Sequence, residues 1–504
     1  MSKEFHLGEA ELTVKKCMSI IQNKTSIILT EEVKNKINES AQRVKNIVDS
    51  DVTVYGINTG FGPLCTVKIS KEETRKLQEN ILKSHAVGVG NSLSDDLVRL
   101  MLLTKMHALS KGYSGIQLST IERIKFLFEN DILPIVPEQG SVGASGDLAP
   151  LSHLFLPLIG LGKVKFKNKI TSTQEVYKEL NIQPLELGAK EGLALINGTQ
   201  FILAHAVLGV ERMRNVLENA DLIGAMMLDA LRGYVSPFQS ELHEIRPFKG
   251  TKLVAKNIRK YLKGSEIAES ERDVARIQDP YSLRCMPQVH GASRNAWQHL
   301  KELTEIELNS VTDNPIITLD GNSISGGNFH GQPLAMVLDY ASIAVAELGN
   351  IADRRVYLSL EGEKVGLPKL LFKETGLNSG FMILQYTTAA LVTENKSLLF
   401  PASGDSIPTS MGQEDHVSMG SISGRKLNQI IDNLEKIQSV ELITACQALD
   451  FARPMKSSKI IEKLHDRVRQ DIPHYTQDEI FSEDIEKAIL LIKNKVLLEI
   501  IKDK

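Results

Sequence analysis

The chain has 504 residues, with 59 basic and 62 acidic side chains for a formal net charge of −3. That balance excludes a polybasic nucleic-acid or membrane-surface protein, in which an excess of lysine and arginine carries the binding. Hydrophobic residues at 42% and charged ones at 24% exclude wholesale disorder. At roughly 100–200 residues per domain the length predicts two to four domains, or one large core with extensions.

The stretch Met1 to Thr13 carries Lys3, Glu4, Glu9 and Glu11 and lacks the apolar centre of a secretory signal. Cys17, Cys65, Cys285 and Cys446 are too sparse for a disulfide framework and too scattered for a zinc ribbon. Uncharged stretches such as Ser379 to Val392 fall short of the ~20 apolar residues of a spanning helix. The expectation is a soluble cytoplasmic protein with neither a membrane nor a nucleic-acid partner. No HExxH or comparable ligand spacing accompanies the 12 histidines, so no metal is expected.

In chain order, glycines cluster first at Tyr55–Gly62, Val87–Gly90, Gly140–Gly146 and Gly192–Gly198. These read as short polar loops between helices, where chemistry usually resides. Phe201 to Leu231 is apolar on most sides and uninterrupted by proline, which predicts a helix buried in a core or a subunit interface. A further glycine cluster at Ser325–Gly331 precedes Leu334, Val337, Leu338, Ala341, Val345, Leu348 and Ala352, steps of three and four that form one apolar stripe. Leu427, Ile430, Ile431, Leu434, Ile437 and Ile443 repeat the pattern before Pro454. With aromatic residues at only 5%, the composition favours helix over sheet. The reading is a mainly α protein: a loop-rich head over residues 1–200, and a body of long helices over 201–504 forming a large bundle completed by oligomerisation. The alternative for each long helix is two shorter ones with a kink.

Gly140 to Pro150, GSVGASGDLAP, first reads as a tight loop with Asp147 as a helix cap. It lacks the GK[ST] ending of a phosphate loop and the spacing of a nucleophile elbow. Ala144-Ser145-Gly146 permits a rarer chemistry. In a tight turn the unhindered Gly146 nitrogen can attack the Ala144 carbonyl carbon, and loss of water from the ring and from Ser145 leaves an exocyclic methylidene. Such a group is an electrophile that ordinary side chains do not supply.

The surrounding motifs give this possibility its weight. GSVGASGDLAPLSH (Gly140–His153) resembles the signature of the histidine/phenylalanine ammonia-lyase family. The resemblance continues through VYGINTGFG (Val54–Gly62), SHAVGVG (Ser84–Gly90), EGLALINGTQ (Glu191–Gln200), QDPYSLRCMPQVHGA (Gln278–Ala292), SVTDNP (Ser310–Pro315), SGGNFHG (Ser325–Gly331) and QEDHVSMG (Gln413–Gly420). It implies a helical, homotetrameric fold of the aspartase/fumarase-like superfamily, with active sites built from several subunits. It also implies a prosthetic group, 4-methylidene-imidazol-5-one (MIO), formed from Ala144, Ser145 and Gly146 without a dissociable cofactor.

The same resemblance assigns roles. Tyr55 matches the family's base, and a phenol of pKa ~10 then requires positive potential nearby. Arg284 is expected to hold the substrate carboxylate through two parallel hydrogen bonds. Tyr281, three residues earlier, is expected on the same helical turn and in proton transfer near the electrophile. Asn197 and Gln278 are amides suited to the amine, the carboxylate or the ring carbonyl, Phe329 is expected to pack near the ring, and Asp147 to support cyclisation.

His85 and Glu414 bear on the substrate. A histidine and a carboxylate can satisfy both nitrogens of an imidazole, whereas a phenyl ring would leave them unpaired. These two positions and Met382 resemble the members that act on histidine, which implies elimination of ammonia from L-histidine to give trans-urocanate, the first step of histidine degradation. Gly412, where Asn is common, and Gln332, where Glu is usual, depart from the pattern. The alternatives are a tyrosine or phenylalanine ammonia-lyase, a 2,3-aminomutase, a lyase acting on a thiolated histidine betaine, and a helical scaffold without activity.

Overall fold

A computed structural model describes residues 4–23, 25–50, 53–60, 62, 69–270, 277–362 and 366–502. Phe61 and Cys65 lie outside these. The fold is mainly α, as the composition predicts, with three strand pairs and one three-stranded sheet of short strands among the described residues. The apolar segments singled out above form unbroken helices: Gln200–Ala230, Gln332–Ser359 and Gly420–Asp450, of 31, 28 and 31 residues. Gln332–Ser359 is long and apolar enough to cross a membrane, but 72% of its most apolar stretch is buried within the fold.

The chain divides into two compact units that are discontinuous in sequence. The first comprises Met1–Glu211, Leu300–Asp339 and Pro401–Arg425; the second comprises Arg212–His299, Tyr340–Phe400 and Lys426–Lys504. Residues 1–200 thus all fall in the first unit, joined there by two returning segments.

In the first unit, helices Lys71–His85, Asp95–Leu109, Leu118–Glu129, Leu148–Phe155 and Glu191–Ile196 surround the loops. Their starts follow local chemistry. Ser70 and Ser94 each accept a hydrogen bond from the backbone nitrogen three residues on, capping their helices. Asp95–Leu109 is buried along most of its length.

The second unit is a bundle with one apolar core, which includes Met226, Phe238, Leu371, Ile443 and Leu464, all essentially inaccessible. Charges are buried there too. Arg355 and Glu441 are fully buried and joined by two hydrogen bonds of 2.5 and 3.2 Å. Asp221 accepts from His290 at 3.0 Å, Arg294 at 2.6 Å and Asn257 at 2.8 Å. Burial alone would raise the Asp221 carboxyl, but Arg294 and His290 reverse that and hold it low.

Candidate active site

The Ala-Ser-Gly turn sits immediately before helix Leu148–Phe155 and is strained. Ser145 has φ +53° and Gly146 φ +81°. The positive φ of Ser145 is unfavourable for a residue with a side chain and persists only where surroundings impose it. Gly198 is what imposes it. A Cβ on Gly146 would lie 2.2 Å from the Gly198 oxygen. Gly198 N–H donates to the Ser145 oxygen at 3.3 Å, and Asp147 N–H returns a bond to the Gly198 oxygen at 2.8 Å. On another side Ser421 Oγ donates to the Ser141 oxygen at 2.6 Å, and Met419 N–H to the Val142 oxygen at 3.0 Å. Only glycine fits at 146, so the cyclising nitrogen is the unhindered one that ring closure requires. The tripeptide fits the group the family implies.

Asp147 caps a helix, but not the one it precedes. Its side chain makes no bond to helix Leu148–Phe155. Its Oδ2 instead accepts from Phe201 N at 3.1 Å and Ile202 N at 2.9 Å, at the start of the helix 54 and 55 residues further on. Ser141 Oγ donates to its other oxygen at 3.1 Å. Burial pushes this carboxyl up to about 7 against those three donors. The turn is thereby tied to the positive end of the helix Gln200–Ala230.

A cavity of about 410 Å³ opens on this turn. Tyr55, His85, Ser145, Asn197 and Glu414 all line it, and Leu77, Ile81 and Leu193 supply apolar wall. Tyr55 stands in a loop pressed onto helix Glu191–Ile196: Gly56 has φ +71°, and a Cβ there would meet Leu193 at 2.5 Å. The Tyr55 hydroxyl oxygen accepts from Gly62 N at 3.4 Å. Among the described lining residues there is no lysine or arginine, so those residues do not themselves supply the positive potential expected around Tyr55.

His85 ends helix Lys71–His85, its Nδ1 paired with Ser84 Oγ at 2.9 Å. Burial lowers its pKa, partly offset by the Ile81 backbone, so the neutral ring is favoured. Asn197 follows the last residue of helix Glu191–Ile196 and is 3% exposed. Asn197 Oδ1 and Glu414 Oε2 are buried with no hydrogen-bond partner among the described residues. Two orphaned oxygens on one small cavity are the feature that native interiors avoid.

Gln278, Tyr281 and Arg284 belong to the second unit. Tyr281 begins a short helix, Tyr281–Arg284, and is 70% exposed. The Arg284 guanidinium lies over its ring at 4.4 Å and donates to the Asp279 oxygen at 2.9 Å. The pair therefore shares one turn, while Gln278 is exposed beside it. Phe329 is half-buried in a turn of the first unit and is not among the cavity's lining residues. Met382 opens a helix of the second unit.

The two departures have local reasons. Gly412 adopts φ +87°, which glycine takes freely and asparagine tolerates better than most residues. Gln332 Nε2 donates to the Ser403 oxygen at 3.0 Å, a bond that a carboxylate could not make. The sequence reading passed over Asn80 and Ser410, which also line the cavity, and Lys105 behind it. A lysine inside the apolar run LMLLTKMHAL was the one available signal for Lys105.

A mainly α chain whose glycine-rich loops wall a small polar-apolar cavity has the architecture of a helical lyase, and known proteins agree. The sequence profile of the aromatic amino acid lyases matches residues 12–470. Histidine ammonia-lyase of Clostridium tetani is 44% identical over 501 residues, covering 99% of this chain and 97% of that one. The crystal structure of histidine ammonia-lyase from Trypanosoma cruzi is 39% identical with a TM-score of 0.92, covering 99% and 95% of the two chains. Tyrosine aminomutase from Streptomyces globisporus is 34% identical with a TM-score of 0.94, covering 99% and 98%. The chain belongs to the aromatic amino acid lyase family.

Proposed function

We propose that this chain is an ammonia-lyase converting L-histidine to trans-urocanate and ammonia, the first step of histidine degradation. The observation that carries this reading is that Asn197 and Glu414, each with a buried oxygen unpartnered among the described residues, line one cavity with His85. An imidazole presents one donor and one acceptor. Glu414 Oε2 accepts from its N–H, and His85, in its neutral form, serves the other nitrogen. A phenyl ring leaves these groups buried and unmatched, at about 1–3 kcal/mol for each, while a phenol offers one hydroxyl in place of two separated ring nitrogens. Full-length relatives named for histidine support the same substrate.

Formed from Ala144, Ser145 and Gly146, MIO would supply an electrophilic carbon to the substrate amine. The chain's own residues do the rest. Asn197 Oδ1 accepts a hydrogen bond from the amine and fixes its approach to the turn. Tyr55 takes the β-proton. Gly198 N–H donates to the Ser145 carbonyl oxygen, where negative charge develops. Arg284 clamps the substrate carboxylate, Tyr281 moves a proton near the turn, and Gln278 and Phe329 complete the wall. Assembly as a homotetramer would bring such groups from other copies. It would supply both the carboxylate clamp and the positive potential that a phenol of pKa ~10 needs as a base.

The test is product formation from L-histidine, L-tyrosine and L-phenylalanine, followed by ultraviolet absorbance beside Ser145→Ala. Urocanate from histidine alone, absent with the variant, is expected. Coumarate or cinnamate as the main product would overturn the assignment of His85 and Glu414. β-Tyrosine from tyrosine would make the chain an aminomutase. Active, well-folded monomers on dilution would overturn the shared site.

A further inference from the structure

Lys105 takes no part in the reaction as described, yet it stands directly behind the turn. It is 1% exposed, in the midst of the buried helix Asp95–Leu109. Taking an ammonium out of water costs several kcal/mol unless it is paired. The buried carboxylate of Asp313 is already held by Lys190 at 2.7 Å and Ser114 at 2.8 Å. Lys105 Nζ instead donates to a backbone carbonyl, the Asn197 oxygen, at 2.5 Å, and more weakly to Gln200 Oε1 at 3.4 Å. Burial pulls its pKa down to about 7; Asp313 and Asp147 oppose this and Lys190 adds to it. Aimed at a carbonyl at such cost, the group acts on that peptide as a donor throughout and as a cation in its protonated form.

The peptide is Asn197–Gly198, and its other end is the Gly198 N–H that donates to the Ser145 oxygen. A cation on a peptide oxygen draws electron density from the nitrogen and makes its N–H a stronger donor. Chains of this kind strengthen each bond in turn. Gly198 adds steric precision: with φ +127°, a Cβ there would meet Gln200 Oε1 at 2.6 Å and Thr312 Oγ1 at 2.9 Å, so the peptide is held on both sides.

On the function proposed above, we propose that Lys105 is a positioning residue that polarises the Asn197–Gly198 peptide, making the Gly198 N–H the oxyanion donor for the Ser145 carbonyl oxygen. Polarising that oxygen has two consequences. It acidifies the Ser145 Cα–H, whose removal begins loss of the serine hydroxyl as water. Once the conjugated group exists, it makes the methylidene carbon more electrophilic.

The test compares Lys105→Met and Lys105→Gln with the natural protein. Four readouts are needed: intact mass for the loss of two waters, the ultraviolet band of the conjugated group, the rate of 2-mercaptoethanol addition without substrate, and the kcat–KM split. With the waters lost, the Met variant is expected to absorb at shorter wavelength. Thiol addition and kcat should fall together by about 10²-fold, the effect of one oxyanion donor, with KM within a few-fold. Gln, which keeps a donor without the charge, should recover part of both. A folded Met variant that retains its waters also supports the proposal, through the Cα–H. Unchanged thiol addition with the group fully formed overturns it, whatever happens to kcat, because a merely structural lysine would leave electrophilicity alone. If the Met variant does not fold, the Gln variant decides by the same readouts. Failure of the underlying function would show separately, as no water loss or product in the natural protein.

Discussion

The cavity wall of the first unit and the ionic cluster of the second both bury polar groups, and they treat them in opposite ways. In the second unit the Asp221 and Glu441 carboxylates have both oxygens matched by donors. In the first, Asn197 Oδ1 and Glu414 Oε2 have no partner among the described residues, on the cavity where Ser145 is held at φ +53°. A fold that satisfies its buried carboxylates in one place and orphans polar oxygens in another is not packing poorly. Arg294 Nε and Gln438 Oε1 of the second unit are also unpartnered among the described residues; what sets Asn197 and Glu414 apart is that they line one cavity with the strained turn, where a ligand can reach them.

The sharpest way to break that distinction is to remove the proposed base. Tyr55→Phe should lower kcat about 10²–10⁴-fold, the range for a positioned proton acceptor. The two-water loss should stay within error, because the Tyr55 hydroxyl is not among the atoms that cyclise. Near-normal turnover would take Tyr55 out of the mechanism.

The matched cluster should fail in the other currency. Arg355→Met leaves Glu441 as a buried, unpaired carboxylate and should cost about 3–5 kcal/mol of stability in urea unfolding. Arg355→Met with Glu441→Leu should recover most of that, since a pair replaced by apolar groups is often neutral. Activity per folded molecule should be unchanged in the double variant. A single variant as stable as the natural protein would remove the contrast between the two regions.

Much of this was legible in the sequence, for particular reasons. The helices at Gln200–Ala230, Gln332–Ser359 and Gly420–Asp450 follow from apolar residues repeating every three or four positions, a local signal that packing reinforces. The loops followed from glycines that the structure uses: Gly56 against Leu193, and Gly146 against Gly198. What stayed hidden was long-range. No local pattern places Leu300–Asp339 and Pro401–Arg425 in the same compact unit as the first 211 residues. Asp147 looked like the cap of the adjacent helix, because the alternative start at Phe201 is distant in sequence and near only in the fold. Lys105 looked like an interruption in an apolar helix, since its partner is a backbone oxygen with no side-chain signature.

Glu414→Gln sharpens the comparison within the cavity. The amide keeps the size of the side chain but weakens a charge-assisted bond to an imidazole N–H. About 1.5–3 kcal/mol for such a bond predicts a roughly 10–100-fold loss in kcat/KM for histidine. Phenylalanine, which has no such donor, should lose far less, and tyrosine, whose hydroxyl can donate to the carboxylate, an intermediate amount. Equal losses for all three would mean that Glu414 serves the shared part of the substrate.

The smallest effect concerns pH, and it separates the histidines of the first unit by what surrounds them. His107 and His205 are buried, and burial first of all pulls each down to about 3, with Lys111 and Arg425 respectively adding to it. A folded pKa below the unfolded ~6.5 means that the unfolded chain binds a proton the folded chain refuses. Stability is therefore fully present above about pH 6.5 and falls as pH drops towards the folded values, by up to ~1.4 kcal/mol per pH unit for each ring. Asp147 works the other way: a carboxyl raised to about 7 takes its proton earlier in the folded state and offsets one histidine over the same window. The raw stability curve therefore mixes these signs, and the difference between variants is the cleaner quantity. His205 packs edge-on against Phe201 at 4.8 Å, so His205→Phe keeps an aromatic ring there while deleting the titration. Its urea stability relative to the natural protein should rise by about 1.4 kcal/mol for each pH unit below 6.5. Parallel curves from pH 7.5 to 5.5 would show that the His205 ring finds a proton in the fold as readily as outside it.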